Sequence, residues 1–429
     1  MRSNLPWFAR RALAVTTVAV LSTGALAACS SGSGGSGGSG GGASSKGPIT
    51  IGASLSLTGD FSADGQAFQK GYQLWQKDVN AKGGILGRKV KITILNDAST
   101  PNQAVTNYQT LINSDHVDFT FGPFSSKITG PASSVAARSG YAFIEGAGGA
   151  PSVFTTPSNE ADHNVFDVSL PVADEMVPFV NYIASLPASQ RPKTAAYPMA
   201  QDPFADPPVQ LAQTKLQALG VKTVYSNVFP AEPSAYTPQA DQVAGKKPDV
   251  VVLGSTDVPT VQAFMQAFEQ QHYLPKMFIA AAGPDQGTAF TSAVGAANAA
   301  GMMVPNVWYP GYKNAASEQM ISEYVKQYGG SPSGVNSDVA EGYSVGQVLD
   351  QAITATKSTD NQKIMQYLHS GVTLSSVQGP VKFNSLGENG AAAAFTFQWD
   401  KTGTKFVQVL PANAPGSVPI IATKPAWHS

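Results

Sequence analysis

From residue 49 onward the chain repeats one unit: a short apolar run, a turn, then a stretch whose apolar residues recur every three or four positions. The first run covers 49–57 and ends at Thr58-Gly59-Asp60. Phe68, Tyr72, Trp75 and Val79 then fall at helical spacing on one face, and Gly83-Gly84 supplies a stop. Residues 90–96 read as a strand, and Thr100-Pro101 opens a helix with a capping hydroxyl and a proline at its first position. Ala104, Val105, Tyr108, Leu111 and Ile112 give that helix a buried stripe. A strand at 117–121, a helix at 126–138 and a strand at 141–144 complete a βαβαβαβ series. Such a series implies a parallel sheet covered by helices on both faces.

The rhythm resumes after Phe166. Strands are expected at 194–197, 221–229, 249–254 and 276–281, with helices at 209–219 and 258–271. Residues 315–368 turn helical, and 395–400 pairs with 405–410 as a hairpin around Lys401-Thr402-Gly403. The fold class is therefore α/β, with a parallel-sheet lobe followed by a second α/β lobe. With 27 Lys plus Arg against 28 Asp plus Glu, the 429-residue chain lacks the basic excess of a nucleic-acid binder. Its 42% hydrophobic content excludes a disordered acidic chain.

The first residues read differently. Arg2, Arg10 and Arg11 precede the uncharged run 12–28, which ends in Leu26-Ala27-Ala28-Cys29. This is a secretory leader pattern, although 17 uncharged residues also sit at the lower limit for a single span. Residues 30–45 are almost entirely Gly and Ser and should behave as a flexible coil. Their glycines neither follow a strand nor open a helix, so they are no dinucleotide fingerprint.

Catalytic signatures are missing. His116, His163, His272, His369 and His428 are scattered without metal-ligand spacing, and neither a G-x-S-x-G elbow nor a P-loop occurs. No enzyme activity, metal or cofactor is expected.

Three motifs carry a family resemblance: Ile51-Gly52-Ala53-Ser54-Leu55-Ser56-Leu57-Thr58-Gly59, then Asn80-Ala81-Lys82-Gly83-Gly84-Ile85-Leu86-Gly87-Arg88-Lys89, then Phe121-Gly122-Pro123-Phe124-Ser125-Ser126. Further matches are Lys247-Pro248-Asp249-Val250-Val251 and Gly379-Pro380-Val381-Lys382-Phe383. Over roughly residues 48 to 410 the chain resembles the leucine/isoleucine/valine-binding family, type I solute-binding proteins of ABC importers. The leader resembles that of a bacterial lipoprotein, implying cleavage before Cys29, lipid on its sulfur, and attachment to the outer face of the cell membrane. The resemblance implies capture of a small solute, amino-acid-like or an amide, by hinge closure and delivery to an ABC transporter permease. A ligand sensor of the same fold, or a secreted hydrolase, are the alternatives.

The corresponding division is a signal peptide at 1–28, a lipidated Cys and tether at 29–47, a first lobe at 48–167 plus 306–373, and a second lobe at 168–305 plus 374–429. The resemblance implies two doubly wound parallel-sheet lobes joined by a three-strand hinge, with chain crossings near 167–170, 304–308 and 373–379. In open α/β sheets ligands sit beyond the carboxyl ends of strands, where Ser125-Ser126 precede a helix; they cap it, meet the ligand, or do both. Carried over residue by residue, the resemblance places Phe124, Ser125, Ser126, Ala147, Gly148 and Gly149 on the first-lobe wall. On the second-lobe wall it places Phe204 and Thr256, with Asp285 three residues beyond the family's acidic position at Ala282. Asp64 and Asp338 align with the rim. Gly149 stands where amino-acid binders of the family have a threonine that holds the ligand carboxylate. If Asp64, Glu145 and Asp338 border the cleft, the ligand carries several donors or positive charge. Trp308 and Tyr309 either stack on the ligand or pack between lobes.

Overall fold

The structure is a computed structural model and describes residues 47–312 and 314–428. Five strands, β1 (Ile49–Leu55), β2 (Val90–Asn96), β3 (Phe119–Phe121), β4 (Phe143–Glu145) and β5 (Val165–Asp167), form one sheet in the order β2-β1-β3-β4-β5. All its pairings are parallel, with Ile49 opposite Val90 and Ala53 opposite Phe121. A parallel pair needs a long crossover, and helices Ser62–Ala81, Pro101–Asn113 and Ser126–Arg138 supply them. Phe68, Tyr72, Trp75 and Val79 are buried in the core on one sheet face, while Tyr108, Leu111 and Ile128 fill the other.

The second sheet takes β6 (Thr194–Ala200), β7 (Lys222–Phe229), β8 (Val250–Leu253), β9 (Met277–Ala280) and β10 (Met302–Asn306) in parallel. A small antiparallel pair follows in the chain, β11 (Leu374–Ser376) with β12 (Gly379–Val381). The expected hairpin, β13 (Phe395–Trp399) and β14 (Phe406–Leu410), joins the second sheet antiparallel beside β10. Its full order is β14-β13-β10-β9-β8-β6-β7. The tail beyond it is anchored by Lys424, whose Nζ donates to Asn298 O and Ala300 O at 2.7 Å. Burial pulls that ammonium down to about 7.

Several expectations need correction. The third crossing does not fall at 373–379: Leu374, Val377, Val381 and Phe383 are buried in the first-lobe core, with Phe383 against Phe166 at 5.2 Å. The chain reaches the second sheet only at Phe395, because these apolar side chains are needed to close the first core. Thr100 occupies the N-cap position but makes no side-chain cap bond; its hydroxyl donates instead to Asp97 O at 3.0 Å. Helix Pro233–Lys246, unread in the sequence, buries Tyr236, Ala240, Val243 and Ala244. Its stripe is half alanine and Pro238 lies inside it, so the apolar periodicity is weak.

Helices Ser62–Ala81 and Ser337–Thr356 approach closely through glycine. A side chain at Gly71 would strike Val339 O, and one at Gly346 would strike the Trp75 ring. Overpacking of this kind costs about 1–3 kcal/mol. Gly346→Ala should therefore lower the thermal unfolding midpoint measurably; an unchanged midpoint would show that Trp75 yields without cost.

Candidate ligand-binding cleft

All parallel strands of a sheet end on one side, so the loops that follow them gather there. From the first sheet come Phe124 and Ser125 after β3, Gly146, Ala147 and Gly149 after β4, and Asp167 as the last residue of β5. The second sheet contributes Asp202 and Phe204 after β6, Thr256 after β8, Ala282, Asp285 and Gln286 after β9, and Asn306 at the end of β10. These two sets line one cavity between the lobes, about 780 Å³ of space not filled by atoms, mouth included.

Of the eleven positions carried over from the family resemblance, nine line this cavity: Asp64, Phe124, Ser125, Ala147, Gly149, Phe204, Thr256, Asp285 and Asp338. Two do not. Ser126 turns its Oγ to accept from Ala150 N at 3.2 Å, and Gly148 packs against Thr129 while its N–H donates to Glu145 Oε2. Glu145 is also off the cavity wall. It is fully buried, accepts from Ala147 N at 2.8 Å and so holds the loop behind the site. Trp308 is buried in the first-lobe core and donates from Nε1 to Ser317 Oγ at 2.9 Å; Tyr309 packs on Phe397 at 5.0 Å. Neither is among the cavity-lining residues.

Ser125 stands at the N-cap of helix Ser126–Arg138 with φ 74° and makes no side-chain cap bond. Its buried Oγ has no hydrogen-bond partner among the described residues. A non-glycine residue in that region of φ is strained, and such strain gathers at binding sites. Gly149 has a different cause. Any side chain there would collide with Asp167 Oδ2, so a carboxylate fills the space where the resemblance placed a threonine.

The cavity is acidic. Asp64, Asp167, Glu175, Asp202, Asp285, Asp338 and Glu341 line it, and no Lys or Arg does among the described residues. Burial pushes the Asp285 carboxyl up to about 6. Burial, then the charge of Asp285, lifts Asp338 to about 7. Asp167 is lifted to about 7 by burial, with Glu388 adding repulsion. Burial, then Asp338 and Asp285, raises Asp64 well above the usual carboxyl range. Glu341 and Glu175 are raised well above it too, by burial first and by their acidic neighbours next. At Asp202 burial also raises the carboxyl, while Lys127 partly offsets it. Like charges taken out of water favour protons, so these carboxyls take up protons more readily than exposed ones do.

Side chains join the two lobes: Asn306 at the end of β10 donates from Nδ2 to Ser337 Oγ at 3.0 Å, and Gln286 bridges the cleft itself. Gln286 of the second lobe donates from Nε2 to Asp64 Oδ1 at 2.5 Å and accepts at Oε1 from Asn336 Nδ2 at 3.0 Å. Both partners belong to the first lobe. Asn336 in turn caps helix Ser337–Thr356 by accepting from Asp338 N at 2.8 Å, which fixes the carboxyl pair beside the bridge.

Sequence reasoning did not single out Asp167, Glu175, Asp202, Gln286 or Glu341. Two had readable signals: Asp167 ends a β-strand at a sheet's carboxyl edge, and Glu341 lies one helical turn beyond Asp338. The others depend on how one lobe faces the other.

The profile of the family described as "Periplasmic binding protein" matches residues 48–404. Leu/Ile/Val-binding protein homolog 7 of Brucella melitensis is 22% identical over 388 residues, covering 85% of this chain and 91% of that protein. Leu/Ile/Val-binding protein BraC3 of Rhizobium johnstonii is 36% identical over 96 residues, so the match spans only 26% of that relative's length. Among solved structures, the leucine-binding protein LivK of Thermotoga maritima superposes with a TM-score of 0.73 at 16% identity, covering 85% of this chain and all of that one. A solute-binding protein from R. palustris in complex with benzoate gives 0.70 at 18% identity, covering 89% and 98%. The chain, with its two parallel sheets opening onto one shared cleft, belongs to the periplasmic binding protein family.

Proposed function

We propose that this chain is the lipid-anchored, extracytoplasmic solute-binding protein of an ABC importer, which takes a small organic solute between its lobes and delivers it unchanged to a membrane permease. The observation that carries the reading is the cavity between the strand ends of two sheets, bridged by Gln286 to Asp64 and Asn336. A ligand touching both walls favours the closed arrangement over the open one, and that difference in contact drives closure. The names of the relatives, Leu/Ile/Val-binding proteins, support capture of a small solute. The nine carried-over residues on the cavity wall support ligand contact there, with Ser125 and Gln286 as polar anchors.

Attachment rests on the leader pattern around Cys29, which lies outside the described residues. Among the described residues no helix is long and apolar enough to cross a membrane. Cys29→Ser should abolish incorporation of labelled fatty acid and release the protein from the membrane fraction. Retention of label would overturn the assignment.

Capture is tested by thermal unfolding of the full-length protein against amino acids, amides, polyamines, aromatic acids and sugars. A true ligand at 100 times its Kd adds about 2.7 kcal/mol. The ligand should be recovered intact and should shrink the radius of gyration in X-ray scattering; chemical conversion of it would favour a hydrolase.

Closure without ligand should depend on pH. Because the carboxyls of Asp167, Asp285 and Asp338 are raised in the closed cleft, that form binds more protons than one with hydrated carboxylates. The advantage is complete below the ordinary carboxyl range near 4 and is lost as pH rises through about 6 to 7. The groups facing these three are Asp64, Glu145, Glu175, Glu341 and Glu388, all acidic, with Lys127 near Asp202 as the opposing charge. Scattering from the ligand-free protein should therefore show a larger radius of gyration at pH 8 than at pH 5.5. The reverse order would refute it.

A further inference from the structure

Resting on the solute-capture reading above, we infer that the solute is an organic cation with at least two positive charges held apart by an apolar segment, of the aliphatic diamine or polyamine class. Carboxyl groups meet the cavity from both lobes: Asp64, Asp167 and Asp338 on one wall, Asp202 and Asp285 on the other. Among the described residues no Lys or Arg lines the cavity to balance them.

A second observation points to a missing partner. Asp167 and Asp338 are 1% and 5% exposed, and in each the Oδ2 atom has no hydrogen-bond partner among the described residues. Buried polar atoms are seldom left unpaired, and both residues line the cavity, so a donor brought by the ligand is the partner these carboxyls lack. An ammonium is a donor on every N–H and accepts nothing, which matches a wall of acceptors.

The spread of the carboxyls decides between kinds of cation. Among the described residues no group of three or more His, Cys, Asp or Glu side chains is placed to hold a metal ion. A compact ion would therefore leave most of the acids uncompensated. An extended molecule reaches both walls, and Phe61, Phe124, Phe204 and Leu170 between the acids offer apolar surface to methylene groups. The aromatic faces also attract ammonium charge. Anions meet repulsion. A zwitterion brings one carboxylate for each ammonium and so leaves the net charge of the cleft unchanged. A neutral amide or polyol satisfies hydrogen bonds but neutralises nothing.

The test is calorimetric titration of the full-length protein with 1,4-diaminobutane, 1,5-diaminopentane and spermidine. The controls are n-butylamine, 1,4-butanediol, L-leucine, acetamide and benzoate. At least one of the di- or polyamines should bind, n-butylamine should bind about ten- to a hundredfold more weakly, as expected for one lost charge-assisted contact, and 1,4-butanediol should not bind. Asp285→Asn and Asp338→Asn should each weaken the diamine by a similar factor without lowering the ligand-free unfolding midpoint, whereas Asp285→Glu should retain most of the affinity. Binding of leucine, acetamide or benzoate in place of the diamines overturns the cation assignment and leaves solute capture standing. Equal binding of 1,4-butanediol, or silence from every amine, also overturns it. A diamine that binds without shrinking the radius of gyration in scattering overturns capture by closure while leaving cation recognition intact.

Discussion

Parallel strands can be joined only by crossovers long enough to return to the starting edge, and this requirement shapes the molecule. It places helices on both faces of each sheet, buries the strands in apolar side chains, and sends the parallel strands of a sheet to the same end. The loops after β3, β4 and β5 therefore collect on one wall and those after β6, β8 and β9 on the other. The cleft needs no special device to exist. What the sequence chooses is which residues stand at those ends.

The choice here is acidic and tightly fitted. Asp167 takes the volume a side chain at Gly149 would need, and Glu145 behind it ties down the Ala147–Gly148 backbone. Burial, with repulsion among these carboxyls added, raises Asp167, Asp285 and Asp338 above the usual carboxyl range. Polarity of this kind is a cost to folding unless something compensates it. If the solute is the organic cation inferred above, it supplies the compensation, and the same carboxyls that repel one another favour closure around it.

Much of the fold was legible because it rests on local periodicity. Phe68, Tyr72, Trp75 and Val79 declare a buried helical face without reference to anything distant, and helix Ser126–Arg138 has the bounds that its pattern implies. The shorter strands β3 and β4 drifted by one or two residues, since three residues carry little period. Helix Pro233–Lys246 escaped because alanines and a proline blur its stripe. The third crossing was misplaced for another reason: Leu374 and Phe383 look like ordinary strand residues until the first-lobe core shows a space for them. At the candidate cleft, loops following strands were readable from topology, but Gln286 and Asp202 were not. Their place depends on how one lobe meets the other, which no window of sequence contains.

The bridge made by Gln286 has a further consequence. An amide carries no net charge, so its hold on Asp64 and Asn336 is short-ranged and little affected by dissolved electrolyte. The field of the acidic mouth is long-ranged and is screened over about 8 Å at physiological ionic strength. The speed with which a charged guest is drawn in and the time for which the jaws stay shut therefore answer to different properties of the surroundings. One varies with salinity and the other with the geometry of a single side chain.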